Sequence, residues 1–296
     1  MTDAFRCGFV ALIGKPNTGK STLMNALIGE KLSITAPRPQ TTRHQILGIR
    51  TTEHCQCIFV DTPGLHRDQK KAINRYMNRA ASSVIDDVDV VCVLLDPRRI
   101  DNEDRAVLER LPAHDRVLLI LNKIDTLPKQ ALLPVIQKLA ELAPDREIIP
   151  VSALKRDNLD HLVEEIEKRL PIGVPQFPDD QLTDRPMRFI VAEIVREKLF
   201  RRLTQELPYA LTVSVDHYQQ DKDLLRISAT IWVERKSQKG IIIGKGGQQL
   251  KQIGSEARAD IERLAGQKVF LQLWVKVREG WSDDEQSLTA FGYTDQ

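Results

Sequence analysis

The chain is 296 residues long, with 43 Lys and Arg against 41 Asp and Glu and a formal net charge of +2. That length supports two cores of typical size, and the near-neutral total excludes a uniformly basic nucleic-acid coat. Four cysteines at 7, 55, 57 and 92 fit no paired metal spacing and no disulfide scaffold. No stretch approaches 18 consecutive apolar residues, and the first six residues lack a basic-then-apolar leader, so a reduced, cytoplasmic setting is expected.

In chain order, strands are expected near 8–13, 45–51, 55–61, 88–95, 117–122 and 147–151, mostly separated by helix-like stretches. The second and third are joined by only three residues, too few for a crossover, and therefore pair as an antiparallel hairpin. Nearly charge-free runs such as Val117–Leu121 suit central strands covered on both faces. The fold class that results is α/β, a doubly wound, six-stranded, mostly parallel sheet.

The first strand runs into Gly14, Lys15, Pro16, Asn17, Thr18, Gly19, Lys20 and Ser21, and Thr22 opens a helix. Such a loop turns its backbone N–H groups onto the α- and β-phosphates of a nucleotide. Lys20 reaches the β- and γ-phosphates, and the Ser21 hydroxyl can ligate Mg²⁺. The third strand ends in Asp61, Thr62, Pro63 and Gly64, where the carboxylate can serve the Mg²⁺ shell and the Gly64 amide can sense the γ-phosphate.

Asn122, Lys123, Ile124 and Asp125 follow the fifth strand and emerge at the carboxyl edge of the sheet. A carboxylate has acceptors only, so Asp125 complements the N1–H and N2–H₂ edge of guanine; polar sites of this kind discriminate by roughly 10⁴-fold. Ser152, Ala153 and Leu154, after the sixth strand, can support the base through a backbone amide. A GTP site with Mg²⁺ is the expectation.

These motifs, with Gln40, Thr41, Thr42, Arg43 and His44, resemble the TrmE and Era branch of translation-factor-related P-loop GTPases over residues 7–170. The resemblance makes Thr42 the switch residue that ligates Mg²⁺ and contacts the γ-phosphate, with Thr41 the other candidate. It implies slow hydrolysis resting on positioning and charge, in which Lys20, Thr42, Asp61 and Gly64 take part. Leu65 stands where signalling GTPases carry a water-orienting glutamine, and a leucine cannot hydrogen-bond water. Asn17 matches relatives that use an asparagine there to coordinate a monovalent cation, so K⁺ joins Mg²⁺ as an expected cofactor. His66 is read as a solvated loop residue.

The three prolines and glycine between Pro171 and Pro178 suggest a linker, which divides the chain into a GTPase domain (1–172), a linker (173–186) and a second domain (187–296). The second domain opens with an amphipathic helix over 188–203. Strands at 210–215 and 224–233, a turn, a helix near 247–264 and a strand at 268–277 follow. The turn holds Ile243, Gly244, Lys245, Gly246 and Gly247, with Lys251 one helical turn on. These flanks resemble a type II K homology (KH) domain, a smaller α+β unit whose glycine loop lets an RNA backbone approach and whose groove holds about four nucleotides. Residues 188–278 carry 17 basic and ten acidic side chains, whereas 279–296 carry five acids and no base. The positive surplus falls on the stretch that contains the glycine loop.

The combination implies a switch that acts in 30S ribosomal subunit maturation. Its GTP form would engage the 3′ end of 16S ribosomal RNA and leave after hydrolysis to GDP. Trp274 and the 281–293 tail would help form the RNA end, although core packing accounts equally for Trp274, because the strand alternates there. A monomer is expected, and the resemblance implies peripheral contact with the inner membrane. Two other readings stay open: an RNA-modification GTPase, and a nucleotide-sensing scaffold whose glycine turn is merely structural.

Overall fold

The computed structural model describes residues 4–36, 41–63, 72–82, 87–109, 111, 114–203 and 207–293. Gln40, Gly64, Leu65 and His66 lie outside them. Of the described residues, 4–33, 42–63 and 77–184 group into one compact unit, and 34–36, 41, 72–76 and 185–293 into another. No described helix is long and apolar enough to cross a membrane.

The first unit is built on a six-stranded sheet: β1 (Arg6–Ile13), β2 (Ile46–Thr51), β3 (Cys55–Asp61), β4 (Val90–Leu95), β5 (Val117–Leu121) and β6 (Glu147–Pro150), in spatial order β2-β3-β1-β4-β5-β6. The β2–β3 pair is the antiparallel hairpin the three-residue connection demands, with Ile46 opposite Asp61 and Thr51 opposite Gln56. All other pairings are parallel. Every residue of β4 and β5 is buried, as their uncharged sequences require of strands covered on both faces.

Parallel strands place their carboxyl ends on one edge, so Ile13, Asp61, Leu95, Leu121 and Pro150 open onto the same rim, the usual ligand side of such sheets. Helices α1 (Lys20–Ile28), α2 (Ala72–Ser82), α3 (Asn102–Leu108), α4 (Lys129–Leu142) and α5 (Leu159–Arg169) belong to the connections. The last of these leads into the Pro-rich segment, which is tied along the sheet edge. Gly173 N donates to Phe5 O at 3.0 Å and Ile49 N to Leu182 O at 2.9 Å. Gln56, fully buried, accepts from the Gln176 and Phe177 amides at 2.8 and 3.0 Å and donates to Phe177 O at 2.8 Å.

The second unit contains α6 (Met187–Arg202), β7 (Leu211–Asp221), β8 (Leu224–Val233), α7 (Lys236–Ile243), α8 (Gln248–Ala265), β9 (Lys268–Val277) and α9 (Glu285–Ala290). Its sheet has the order β7-β8-β9, antiparallel then parallel, because the α7–α8 pair supplies the crossover that a parallel neighbour needs. Ile190, Ile194, Ile253, Ala257 and Ile261 join Leu225, Ile227, Ile231 and Val269 in one core. β7 runs to Asp221, six residues beyond the apolar run that marks it in the sequence. A bulge between Val215 and His217 lets its outer half continue as an exposed ribbon. The apolar stretch before the glycines is the end of helix α7, whose start at Lys236 has no apolar stripe to announce it. Trp274 is 51% exposed, so core packing is not its role.

Candidate functional site

The loop from Gly14 to Gly19 connects β1 to α1, and its path depends on glycine at two points. Gly14 has φ +141°, and a Cβ there would lie 2.5 Å from Leu94 O; Gly19 has φ +101°, and a Cβ would lie 2.4 Å from Asn122 Nδ2. The second contact joins this loop to the end of β5. Asn122 Nδ2 donates to Thr18 O at 2.9 Å, and Asn122 Oδ1 accepts from the Ala153 amide at 3.0 Å. Lys123 Nζ donates to the Asn17 carbonyl and lies 3.0 Å from Asp96. One buried asparagine therefore holds three sequence motifs together.

Asp125 is exposed at the rim, and Ser152 Oγ donates to its Oδ1 at 2.5 Å. That bond orients the carboxylate, a role the sequence does not assign to Ser152. The Ala153 amide is engaged by Asn122, while Leu154, 72% exposed, presents an apolar side chain beside the same rim.

Lys20 turns back over its own loop, donating to Gly14 O at 2.9 Å and Lys15 O at 3.1 Å. Burial pulls its ammonium down to about 8, opposed by the Asp61 carboxylate. Lys15 points elsewhere: its ammonium lies 2.8 Å from Asp101 and 2.6 Å from Asp104, so the loop receives its backbone and not its charge.

Asp61 is fully buried at the end of β3. Its Oδ2 accepts from Ser21 Oγ at 2.7 Å and from Ser33 Oγ at 2.7 Å, and Thr42 Oγ1 lies 2.8 Å from Ser21 Oγ. Desolvation pushes its pKa up against those hydrogen bonds and Lys20. Asp61 Oδ1 has no hydrogen-bond partner among the described residues. A buried carboxylate with a spare oxygen, beside two hydroxyls, is an oxygen donor set that suits Mg²⁺. Ser33 escaped the sequence reading because it belongs to no motif. It is placed by Asn25, which accepts from the Leu32 and Ser33 amides at 3.0 and 2.9 Å.

In the second unit, Gly244, Gly246 and Gly247 all have positive φ, at 73°, 59° and 77°. A Cβ at Gly244 would meet Gln249 Cβ at 2.7 Å, whereas Gly246 and Gly247 face open space. Lys245 between them is exposed and Ile243 half-buried. Beside the loop, α8 and the edge strand β9 enclose a cleft of about 500 Å³, lined by Gly247, Leu250, Lys251, Gly254, Arg258 and Leu271, among others. Arg258, missed from sequence, lies seven residues after Lys251 and hence on the same helical face.

Residues 9–123 match the family model described as a 50S ribosome-binding GTPase, and residues 206–282 match the KH domain. GTPase Era of Ectopseudomonas mendocina is 51% identical over 300 residues, all of both chains, and that of Stenotrophomonas maltophilia is 53% identical over 289 residues, 97% of each. The chain belongs to the Era family of GTPases. A crystal structure of Era in complex with MgGDPNP and nucleotides 1506–1542 of 16S ribosomal RNA superposes with a TM-score of 0.93 at 38% identity, covering 98% of this chain and 100% of that one. A variant of Aquifex aeolicus Era bound to GDP·AlF4⁻ gives 0.92 at 38% identity, with the same coverage. The P-loop sheet followed by a KH domain is thus the architecture of the Era family.

Proposed function

We infer that this chain hydrolyses GTP to GDP and phosphate, and that it is a switch that binds 16S ribosomal RNA near its 3′ end during maturation of the 30S subunit. The observation that carries the reading is the pairing, in a chain aligned end to end with Era relatives, of a guanine-type rim with a glycine-loop cleft. In this account Gly14 to Ser21 cradle the phosphates through backbone amides. Asp125, oriented by Ser152, reads the guanine edge, and Leu154 lies along the base.

Ser21, Thr42 and Asp61 are the residues we assign to Mg²⁺, which would neutralise charge on the β- and γ-phosphate oxygens. Lys20 regains its full charge against the polyphosphate. Thr62 holds the end of β3 in place through its bond to Leu12 O at 3.2 Å. Asn17, exposed with φ 65° at the loop tip, is our candidate ligand for K⁺. Equal GTPase rates in potassium and sodium buffers would count against that assignment.

Lys245, Lys251 and the flanking glycines take the RNA backbone, and Ile243, packed against the core, ends the helix that precedes them. Phosphate contacts make affinity fall steeply with salt, so RNA binding by the full chain is measured across ionic strengths with Lys245→Ala and Gly247→Asp. Loss of affinity in both variants and a shallower salt slope for the first are expected. Unchanged binding would return the glycine turn to a structural role and favour a protein-binding scaffold. A monomer and peripheral contact with the inner membrane rest on family resemblance. Light scattering and flotation with anionic vesicles test them.

A further inference from the structure

The helices of the second unit cover one face of its sheet; on the other, Phe291 packs on Trp232 and Tyr293 reaches Thr212, while the β9 side of that face lies open. β9, with sequence KVFLQLWVKV, alternates so that Lys268, Phe270, Gln272, Trp274 and Lys276 point to solvent. Phe270 is 50% and Trp274 51% exposed, unusual for rings of this size. The parallel register sets Arg226 beside Phe270, Thr230 beside Trp274 and Trp232 beside Lys276. The Arg226 guanidinium lies 5.7 Å from the centre of the Phe270 ring, and the Lys276 ammonium 5.6 Å from that of Trp232.

We propose that this open face is a second single-stranded RNA surface, on which bases stack against Phe270 and Trp274 while Lys268 and Lys276 take the phosphates. The proposal rests on the RNA-binding reading above and extends it past the glycine loop. Three observations favour RNA over a protein partner. The exposed apolar groups of β9 are flat rings, which serve any base, and no aliphatic side chain accompanies them on this face of the strand. β9 carries two lysines and no acid, and of the acids on β7 Asp221 is paired with Arg226 at 3.1 Å and Asp216 accepts from Thr230 Oγ1 at 2.6 Å.

The third observation is continuity. Gln272 lines the cleft beside the glycine loop and also stands between the two rings, so a strand leaving the cleft passes over the β9 edge onto this face. Phe270 and Trp274 are four residues apart along the strand, roughly 13 Å at a rise of about 3.3 Å per residue. That leaves room for Gln272 to meet a base edge between two stacked bases. Open sheets with aromatic platforms are an established mode of RNA capture in other folds.

The test compares the full chain, with a non-hydrolysable GTP analogue, on two RNAs: one of about four nucleotides, which fills the cleft, and one of about twelve. Phe270→Ala and Trp274→Ala should each weaken the longer RNA about fivefold or more and leave the shorter one unchanged, while Trp274→Phe retains binding. The longer RNA should quench tryptophan fluorescence in the wild type more than in Trp274→Phe. Both rings are on the surface, and thermal melts equal to wild type establish that the variants fold. If the double alanine variant binds the longer RNA as wild type does while Lys245→Ala weakens it, the cleft stands and this surface falls, leaving the face to a protein. If wild type captures neither RNA, the RNA reading itself fails.

Discussion

Replacing Gly19 by alanine should damage nucleotide binding through a route that does not involve the phosphates. At φ +101° an alanine carries a backbone cost of about 1–2 kcal/mol. Its Cβ would also sit 2.4 Å from Asn122 Nδ2, so that side chain must leave, weakening its bonds to Thr18 O and from the Ala153 amide at about 1 kcal/mol each. The sum is about 3–4 kcal/mol, or roughly 150-fold to 900-fold in affinity if the bound state needs Asn122 in place. Calorimetric titration with GDP, beside denaturant unfolding, shows how the penalty divides between binding and stability. Gly29 is the control. Its φ is +91°, but no atom lies within 4 Å of an added Cβ, so Gly29→Ala should cost stability alone and leave GDP affinity unchanged. GDP binding by Gly19→Ala within threefold of wild type would refute the claim that Gly19 makes room for Asn122.

Asp125→Asn replaces an acceptor pair by one donor and one acceptor, so GTP affinity should fall at least a thousandfold while xanthosine triphosphate binds; competition titration measures both. Gln56→Ala strands the Gln176 and Phe177 amides and should destabilise the first unit by about 2–3 kcal/mol in urea, with earlier proteolysis between 171 and 184. All four cysteines are buried, and desolvation pushes the Cys92 thiol up to about 12. Ellman's reagent should therefore find less than one reactive thiol in the native protein and four after unfolding. Rapid native labelling of two or more would contradict the buried placement.

The nucleotide half was legible because its motifs are short and local, each fixed to a strand end that an uncharged apolar run announces. The order of Asn122 and Asp125 after Val117–Leu121 sufficed to put them on the rim. What the sequence hid are the partners that long-range packing supplies. Ser33 reaches Asp61 through a turn that Asn25 organises, and Lys15 is drawn away from the phosphates by Asp101 and Asp104. Neither leaves a spacing signal. The sequence points to a backbone amide in Ser152 to Leu154, whereas the Ser152 hydroxyl orients Asp125, because side-chain direction depends on the turn after β6.

In the second half, the glycine loop was visible, but Trp274 was not assignable. Alternation along β9 says that alternate residues share a face, and only packing of the helices decides which face is covered. Arg258 could have been found by adding seven to Lys251 along α8, since two helical turns return to the same face.

The central claim is that the bound guanosine phosphate governs capture of RNA by the same chain. Its most direct test is the equilibrium affinity of the full chain for a fragment from the 3′ end of 16S ribosomal RNA, measured at one salt concentration with a non-hydrolysable GTP analogue and with GDP. Tighter binding by at least tenfold in the triphosphate state is predicted, and it should disappear when Lys20→Ala prevents nucleotide binding. Equal affinity in both nucleotide states would contradict the account.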